Sequence, residues 1–488
     1  MNMTLIPIML YLMAMIGIAW RVSRIKNSSE TDFLEEYFIG SRSMGGLVLA
    51  MTVVATYVGA SSFIGGPGVA YKLGLGWVLL ACIQTPTAFL TLGVLGKKMA
   101  IISRKINGVT ISDYLRARYD NELVVIFGSV AMVFFFIGAV VVQFIGGARL
   151  FESVTGLPYI SGLLIFALVV VAYTTIGGFR AVTLTDAIQG VVMLIATGIL
   201  FISLLNKGGG MENIMKTIYD IDPNLLTPTA GGQISKPFIL SFWMLVGVAV
   251  LGLPPTAVRC MGFRDTKSMH NGMILGTSVV GVLMLGMHLV GFMGIAIDPN
   301  IDIGDKAIPI LAMNNLHPIV AGVFIAGPLA AIMSTIDSLL ILSSATIIKD
   351  LYIRYILKGK EISEKKIKMV SQTISLTLGI TVFFLALNPP KLLVMLNLMF
   401  LAGQEAIFFC PIIFGLYWKK ANATGALSAM IVGLGSYLFL FLKNIKIFGT
   451  HQIVPVIFFA VVAFVVGSLL GKPTPEDKLK IFFEDEEN

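Results

Sequence analysis

The residues best suited to chemistry lie in Ala330-Ala331-Ile-Met-Ser334-Thr335-Ile-Asp337-Ser338, followed by Ser343-Ser344. Ala331, Ser334, Thr335 and Ser338 recur at i, i+3, i+4 and i+7, so a helix gathers them into one small, hydroxyl-bearing stripe. Two adjacent hydroxyls plus helix carbonyls make an all-oxygen setting suited to a hard cation such as sodium, by extension from the oxygen preference of calcium and magnesium. The same stripe fits small-residue helix packing, with each hydroxyl bonded back to its own backbone. Spacing does not choose between the two. Asp337, about 60° from Ser334 around a helix, reads as a structural acid bonded to nearby hydroxyls or reaching water, in preference to an ion or proton carboxylate.

A second stretch, Met51-Thr-Val-Val-Ala-Thr-Tyr-Val-Gly-Ala-Ser-Ser-Phe-Ile-Gly-Gly-Pro-Gly-Val-Ala-Tyr71, is apolar and long enough to cross a bilayer. Its middle carries Gly59, Ser61, Ser62, Gly65, Gly66, Pro67 and Gly68, which weaken or break a helix. A helix interrupted in a membrane frees backbone groups that protein, water or a bound ion must satisfy. A later run repeats the feature, with Gly247, Gly252 and Pro254-Pro255 ahead of Thr256 and Arg259. Asp186, with Gln189 three residues on, opens another apolar run, where a carboxylate either completes a cation path or caps the helix. Gln84, Gln143, Gln404 and Glu405 are polar groups able to face a site between the two interrupted helices. Trp243, His288 and the many Phe and Met residues read as packing groups.

The elements that must position these residues are membrane spans. Of 488 residues 56% are hydrophobic and 13% charged, with mean hydropathy +0.89, which excludes an ordinary soluble domain. Thirteen apolar runs stand near 3–20, 44–70, 75–96, 123–146, 160–178, 184–205, 238–260, 272–297, 318–347, 369–387, 391–416, 423–442 and 452–470. With the N-terminus outside, 26 of the 35 lysines and arginines fall in cytoplasmic segments, so the positive-inside rule selects N-terminus out and C-terminus in. The net charge of +8 thus reads as a topology signal and not as a nucleic-acid surface. Cys82, Cys260 and Cys410 have no paired spacing and read as core residues. The first run lacks the flanks of a signal peptide and is expected to be retained. No GxxxxGK[ST] is present, which argues against a primary pump. No nucleophile–base pair or metal-ligand cluster supports an enzyme. Interrupted helices at corresponding positions of two sets of five spans, 2–6 and 7–11, point to an inverted-repeat transporter.

Several segments resemble the sodium:solute symporter family. Gly177-Gly178-Phe-Arg-Ala-Val-Thr-Leu-Thr185-Asp186-Ala-Ile-Gln189 is similar to its first signature and Gly415 to Gly433 to its second, while Ala331 to Thr335 with Lys349-Asp-Leu-Tyr352 adds a third match. Glu36 to Gly45, Ala60 to Gly68, Val142 to Leu150, Gly252 to Cys260 and Ser343 to Tyr352 are similar to the members that carry pantothenate.

The resemblance implies an all-α polytopic fold of about 13 transmembrane helices with a leucine-transporter-like core of five-plus-five inverted helices. The first repeat would be 44–205 and the second 238–416. An extra span precedes them at 3–20, two follow at 423–470, and 471–488 is a cytoplasmic tail. It implies a sodium site built from the carbonyls of Ala60, Phe63 and Ala331 and the hydroxyls of Ser334 and Thr335, with Asp186 matching an acid implicated in sodium coupling. Substrate would sit near Ser61, Ser62 and Gly65, facing Gly247, Val250 and Gln404. Arg259 is expected to be structural or part of an inner-gate ion pair, in preference to a substrate contact. The expected activity is sodium-coupled import of pantothenate across a bacterial cytoplasmic membrane. Alternatives are symport of another small carboxylate, such as proline or a monocarboxylate, and a sensor that retains the transporter fold. No signalling domain follows residue 470.

Overall fold

The computed structural model describes residues 3–23, 42–358, 363–390 and 392–484, with 19, 22–23, 173, 175–181, 183 and 364–365 described as backbone only. The expected cytoplasmic Arg24, Lys26 and Lys360, most of the Glu36 to Gly45 match and the last residues of the tail lie outside these limits. The Arg180 side chain does too.

Apolar runs become helices because only a helix satisfies its own backbone polar groups in hydrocarbon. In chain order they are α1 (Leu5–Ser23), α2 (Gly46–Tyr57), α3 (Gly66–Leu73), α4 (Leu75–Lys105), α5 (Ile111–Tyr119), α6 (Glu122–Thr155) and α7 (Tyr159–Lys207). There follow α8 (Met211–Ile221), α9 (Lys236–Gly252), α10 (Pro254–Arg259), α11 (Thr266–Ile297), α12 (Ala307–Asn315) and α13 (Pro318–Ile356). The chain ends with α14 (Glu364–Leu385), α15 (Leu393–Tyr417), α16 (Ala423–Leu442), α17 (Ile453–Leu470) and α18 (Glu476–Phe483). The isolated bridge Met44–Phe263 is the one β-type pairing among the described residues.

Among the described residues nine helical segments are long and apolar enough to span, or ten when α2 and the helix after it, bent by 71°, count as one. Three other expected spans coincide with apolar helices too short to pass by length, Leu5–Ile18, Tyr159–Ala172 and Lys236–Gly252. The thirteen-span count is therefore not reached by length and apolarity alone. Helical backbone also continues from 159 to 207 through the point where two runs, 160–178 and 184–205, are expected to part.

The hydroxyl stripe lies on α13, the most enclosed span, 83% buried against 33% for the span in α14. α13 packs on α6 and α7, and α1 covers α7 and α13 from outside. Phe134, Leu168, Phe384 and Phe458 point away from the bundle and are exposed, as lipid-facing side chains should be. α5 begins with a capping box: the Asp113 N–H donates to Thr110 Oγ1 at 3.1 Å, and Asp113 Oδ2 accepts from the Thr110 N–H at 3.1 Å. α18 folds back onto α5, placing Phe482 5.5 Å from the Arg118 guanidinium.

Candidate functional site

α2 stops at Tyr57, and Val58 takes an extended conformation (φ −89°, ψ 107°) before a wide helical turn over Ser61–Gly65 leads into α3. The Ala60 N–H leaves the main-chain ladder and donates to Gln143 Oε1 at 2.8 Å. The carbonyls exposed by this break are met by the α13 stripe. Ser334 Oγ lies 3.1 Å from the carbonyls of both Ala55 and Ala331, and Thr335 Oγ1 lies 3.2 Å from Ala55, 3.3 Å from Val58 and 3.1 Å from Ala331. Three carbonyl and two hydroxyl oxygens thus converge with only two hydroxyl hydrogens among them. Such an acceptor-rich cluster has the composition a hard cation prefers.

Of the expected carbonyls, that of Ala331 meets the two hydroxyls; beside it the structure brings those of Ala55 and Val58, five residues before the expected Ala60 and Phe63, because the helix ends at Tyr57. Gly65-Gly66-Pro67-Gly68 resembles the break but begins α3, with Pro67 in its first turn, where a missing N–H is harmless. Its glycines serve close packing: a Cβ on Gly66 would lie 2.2 Å from His288 Nε2, and one on Gly68 2.3 Å from the Gly304 carbonyl oxygen.

One turn along, Thr52, Thr56, Asp186, Arg259 and Ser338 form a separate buried cluster. Asp186 Oδ2 accepts from Thr52 Oγ1 at 2.7 Å and pairs with Arg259 Nη2 at 3.4 Å. Arg259 Nε donates to Thr56 Oγ1 at 3.0 Å, and its Nη2 donates to Ser338 Oγ. Asp186 is therefore tied to Arg259, outside the five-oxygen cluster, and Asp186 Oδ1 has no partner among the described residues. Asp337 accepts from Thr174 Oγ1 at 2.6 Å, the hydroxyl contact expected of a structural acid.

A cavity of about 960 Å³, measured with its mouth, opens beside the cluster. Of the expected substrate residues, Ser61, Ser62 and Gln404 line it; Gly65, Gly247 and Val250 do not. Gly65 instead packs on α15, where its Cβ would lie 3.1 Å from the Val394 nitrogen. Gln84, Gln143, His288 and Asn397 also reach the cavity, and no lysine or arginine is among its described lining. His288, expected to be a packing group, was missed because only the tertiary fold brings α11 against α3. Glu405 is fully buried with neither oxygen bonded among the described residues, and it does not line the cavity.

A second buried ion pair joins the end of α6 to connecting segments. Arg149, near the C-terminus of α6, donates to Asp305 at 2.6 Å and to the Pro390 carbonyl, while the Leu393 N–H donates to Asp305 at 3.0 Å. Lys306 and Glu152 pair alongside at 3.1 Å. Burial raises the Asp305 carboxyl above the usual carboxylate range against the opposing pull of Arg149 and the Leu393 amide.

Residues 37–433 match the profile of the sodium:solute symporter family. The chain is 50% identical to the sodium/pantothenate symporters of Haemophilus influenzae and Escherichia coli, each alignment covering 97% of both chains. It is 31% identical to a sodium/proline symporter of Staphylococcus aureus over 91% of this chain and 89% of that one. Among solved structures, a sodium-coupled sialic acid symporter in an outward-open state superposes with TM-score 0.79 at 21% identity, covering 97% and 98% of the two chains. A nucleobase-cation-symport-1 family transporter in a closed conformation gives 0.53 at 12% identity, covering 93% and 99%. These likenesses establish the transporter fold.

Proposed function

The chain belongs to the sodium:solute symporter family, and on that premise we propose that it imports pantothenate together with sodium by alternating access. The cargo is read from the two relatives at 50% identity; the proline carrier is more distant, at 31%. One observation carries the coupling mechanism: the Ala55, Val58, Ala331, Ser334 and Thr335 oxygens join the broken helix to α13 beside the cavity. Sodium held there ties α2 to α13 and stabilises the state that accepts substrate. A ligand with equal affinity for both states would shift nothing. Asp186 acts on that cation from one turn away and is not itself a ligand.

The ends of α4 and α13 and the whole of α5 and α18, rich in lysine and arginine, form the cytoplasmic face of a bacterial cytoplasmic membrane protein. Arg259–Asp186 then seals the inner side of the cavity and Arg149–Asp305 the outer. Inward sodium movement supplies about 2.3 kcal/mol per charge for each 100 mV of membrane potential, besides its concentration gradient. With no cationic side chain among the described lining residues, the pantothenate carboxylate is met by neutral hydrogen-bond donors and by the neighbouring sodium.

Uptake of labelled pantothenate, proline and monocarboxylates into proteoliposomes under an imposed sodium gradient tests the reading. The expected result is sodium-dependent accumulation of pantothenate. Uptake indifferent to sodium, or of proline alone, would reject it.

A further inference from the structure

The amide of Gln143 has one chemically permitted orientation. The Ala60 main-chain N–H can only donate, so the atom facing it at 2.8 Å must be the Gln143 carbonyl oxygen. This leaves Nε2, with two hydrogens, for the cavity that Gln143 borders. The carboxamide lies across Gly59: a Cβ there would be 2.7 Å from Gln143 Oε1, 3.0 Å from Nε2 and 2.9 Å from Thr335 Oγ1. A pair of fixed N–H donors therefore stands next to the hydroxyl end of the five-oxygen cluster.

The other end of the same segment has the opposite polarity. His288 Nδ1 lies 2.7 Å from the Met284 carbonyl, which can only accept, so Nδ1 carries the hydrogen. No acidic side chain is among the described lining to support an imidazolium, and the neutral ring presents Nε2 as an acceptor beside Gly66. Gly59 and Gly66 are seven residues apart and flank the wide turn Ser61–Gly65 on its two sides.

We propose that Gln143 is the specificity-determining residue that selects the carboxylate of the substrate, and that it sets the substrate's direction, carboxylate toward Gln143 and Thr335, hydroxyl end toward His288. This rests on pantothenate as cargo, which carries its carboxylate and its hydroxyls at opposite ends. Donor and acceptor are each locked by a backbone group, so neither can reorient to suit a reversed ligand.

The test is competition against labelled pantothenate by two analogues: pantothenol, with the carboxylate replaced by an alcohol, and N-isovaleryl-β-alanine, which keeps the carboxylate and lacks both hydroxyls. Gln143→Ala should reduce the preference for pantothenate over pantothenol by about tenfold, and Gln143→Glu, which keeps the contact to Ala60 and adds a negative charge, should abolish or invert it. His288→Ala should leave that preference in place and reduce discrimination against N-isovaleryl-β-alanine. Ligand-induced thermal shifts of purified protein supply the same comparison for a variant too slow to transport. Equal loss of both ligands in the Gln143 variants, an unchanged preference, or exchange of the two residues' effects would overturn the proposal. If the parent protein does not carry pantothenate, the cargo reading fails separately, and the acid it does carry, compared with its primary alcohol, tests Gln143 in the same variants.

Discussion

The two ion pairs proposed as the inner and outer seals of the cavity are built differently. Arg259–Asp186 is enclosed among the hydroxyls of Thr52 and Thr56 on α2 and Ser338 on α13, with Asp186 itself on α7. Arg149–Asp305 is shorter, 2.6 Å against 3.4 Å, and is completed by main chain from the turn before α15. The inner pair is thus anchored to the helices that hold the five-oxygen cluster, one turn away on both α2 and α13. The outer pair instead fastens connecting segments to the end of α6. The difference teaches how sodium can act on one gate more than the other: a cation that moves α2 against α13 strains the inner contacts directly, and reaches the outer pair through intervening elements, α6 on which α13 packs, α3 and the Gly304–Lys306 turn.

Breaking the inner pair should have the largest effect. Asp186→Leu leaves a buried guanidinium without its carboxylate, and stability should fall by about 3–5 kcal/mol with loss of uptake. The double variant Asp186→Leu/Arg259→Met should recover most of the stability, as read from unfolding of the purified protein, without recovering coupling. The outer pair should matter less. Arg149→Met leaves Asp305 accepting from the Leu393 N–H, so the expected cost is about 1–3 kcal/mol, and a cysteine placed at Ser62 should be labelled faster from the outer side. A larger penalty for Arg149→Met than for Asp186→Leu would reverse the comparison.

A third pair, near the water, sets the lower limit. Lys349 Nζ donates to Asp113 Oδ2 at 2.6 Å, and the Val109 N–H donates at 2.8 Å. Burial alone would raise the Asp113 carboxyl, but the Lys349 ammonium and the Val109 and Thr110 amides outweigh it and hold it below the usual carboxylate range. A depressed folded pKa contributes stability above the unfolded value, near 4, and loses it as pH falls through the folded value. Asp113→Asn should therefore cost about 1–2 kcal/mol at pH 7, and the gap from the parent protein should close in acid. A gap of equal size at pH 7 and pH 3 would show that the charge is not responsible.

Much of this arrangement is legible in the residues. Periodicity alone assembles Ala331, Ser334 and Thr335 on one face, and Pro254-Pro255 marks the second interruption, where α10 begins after the extended Leu253. The first interruption is misleading in detail. Four glycine and proline residues at 65–68 advertise a break, yet the chain leaves helix at Val58, where Gly59 is the sole such signal. Composition cannot separate a glycine that ends a helix from one that lets a neighbour approach, because the neighbour, here His288 or Gly304, comes from a distant part of the chain. For the same reason composition does not reveal that the Ala55 carbonyl, five residues before Ala60, meets Ser334. Gln143 is recognisable as a polar group for the site, but its fixed orientation depends on an N–H that only the broken helix liberates.

The central claim is that the oxygens of Ala55, Val58, Ala331, Ser334 and Thr335 bind the coupling sodium. Sodium titration of the thermal stability of purified protein tests it without transport or substrate. The parent protein should be stabilised by sodium and not by potassium, and Ser334→Ala and Thr335→Ala should each raise the half-saturating sodium concentration about tenfold, as loss of one oxygen ligand worth about 1.4 kcal/mol requires. Unchanged sodium dependence in both variants would contradict the account.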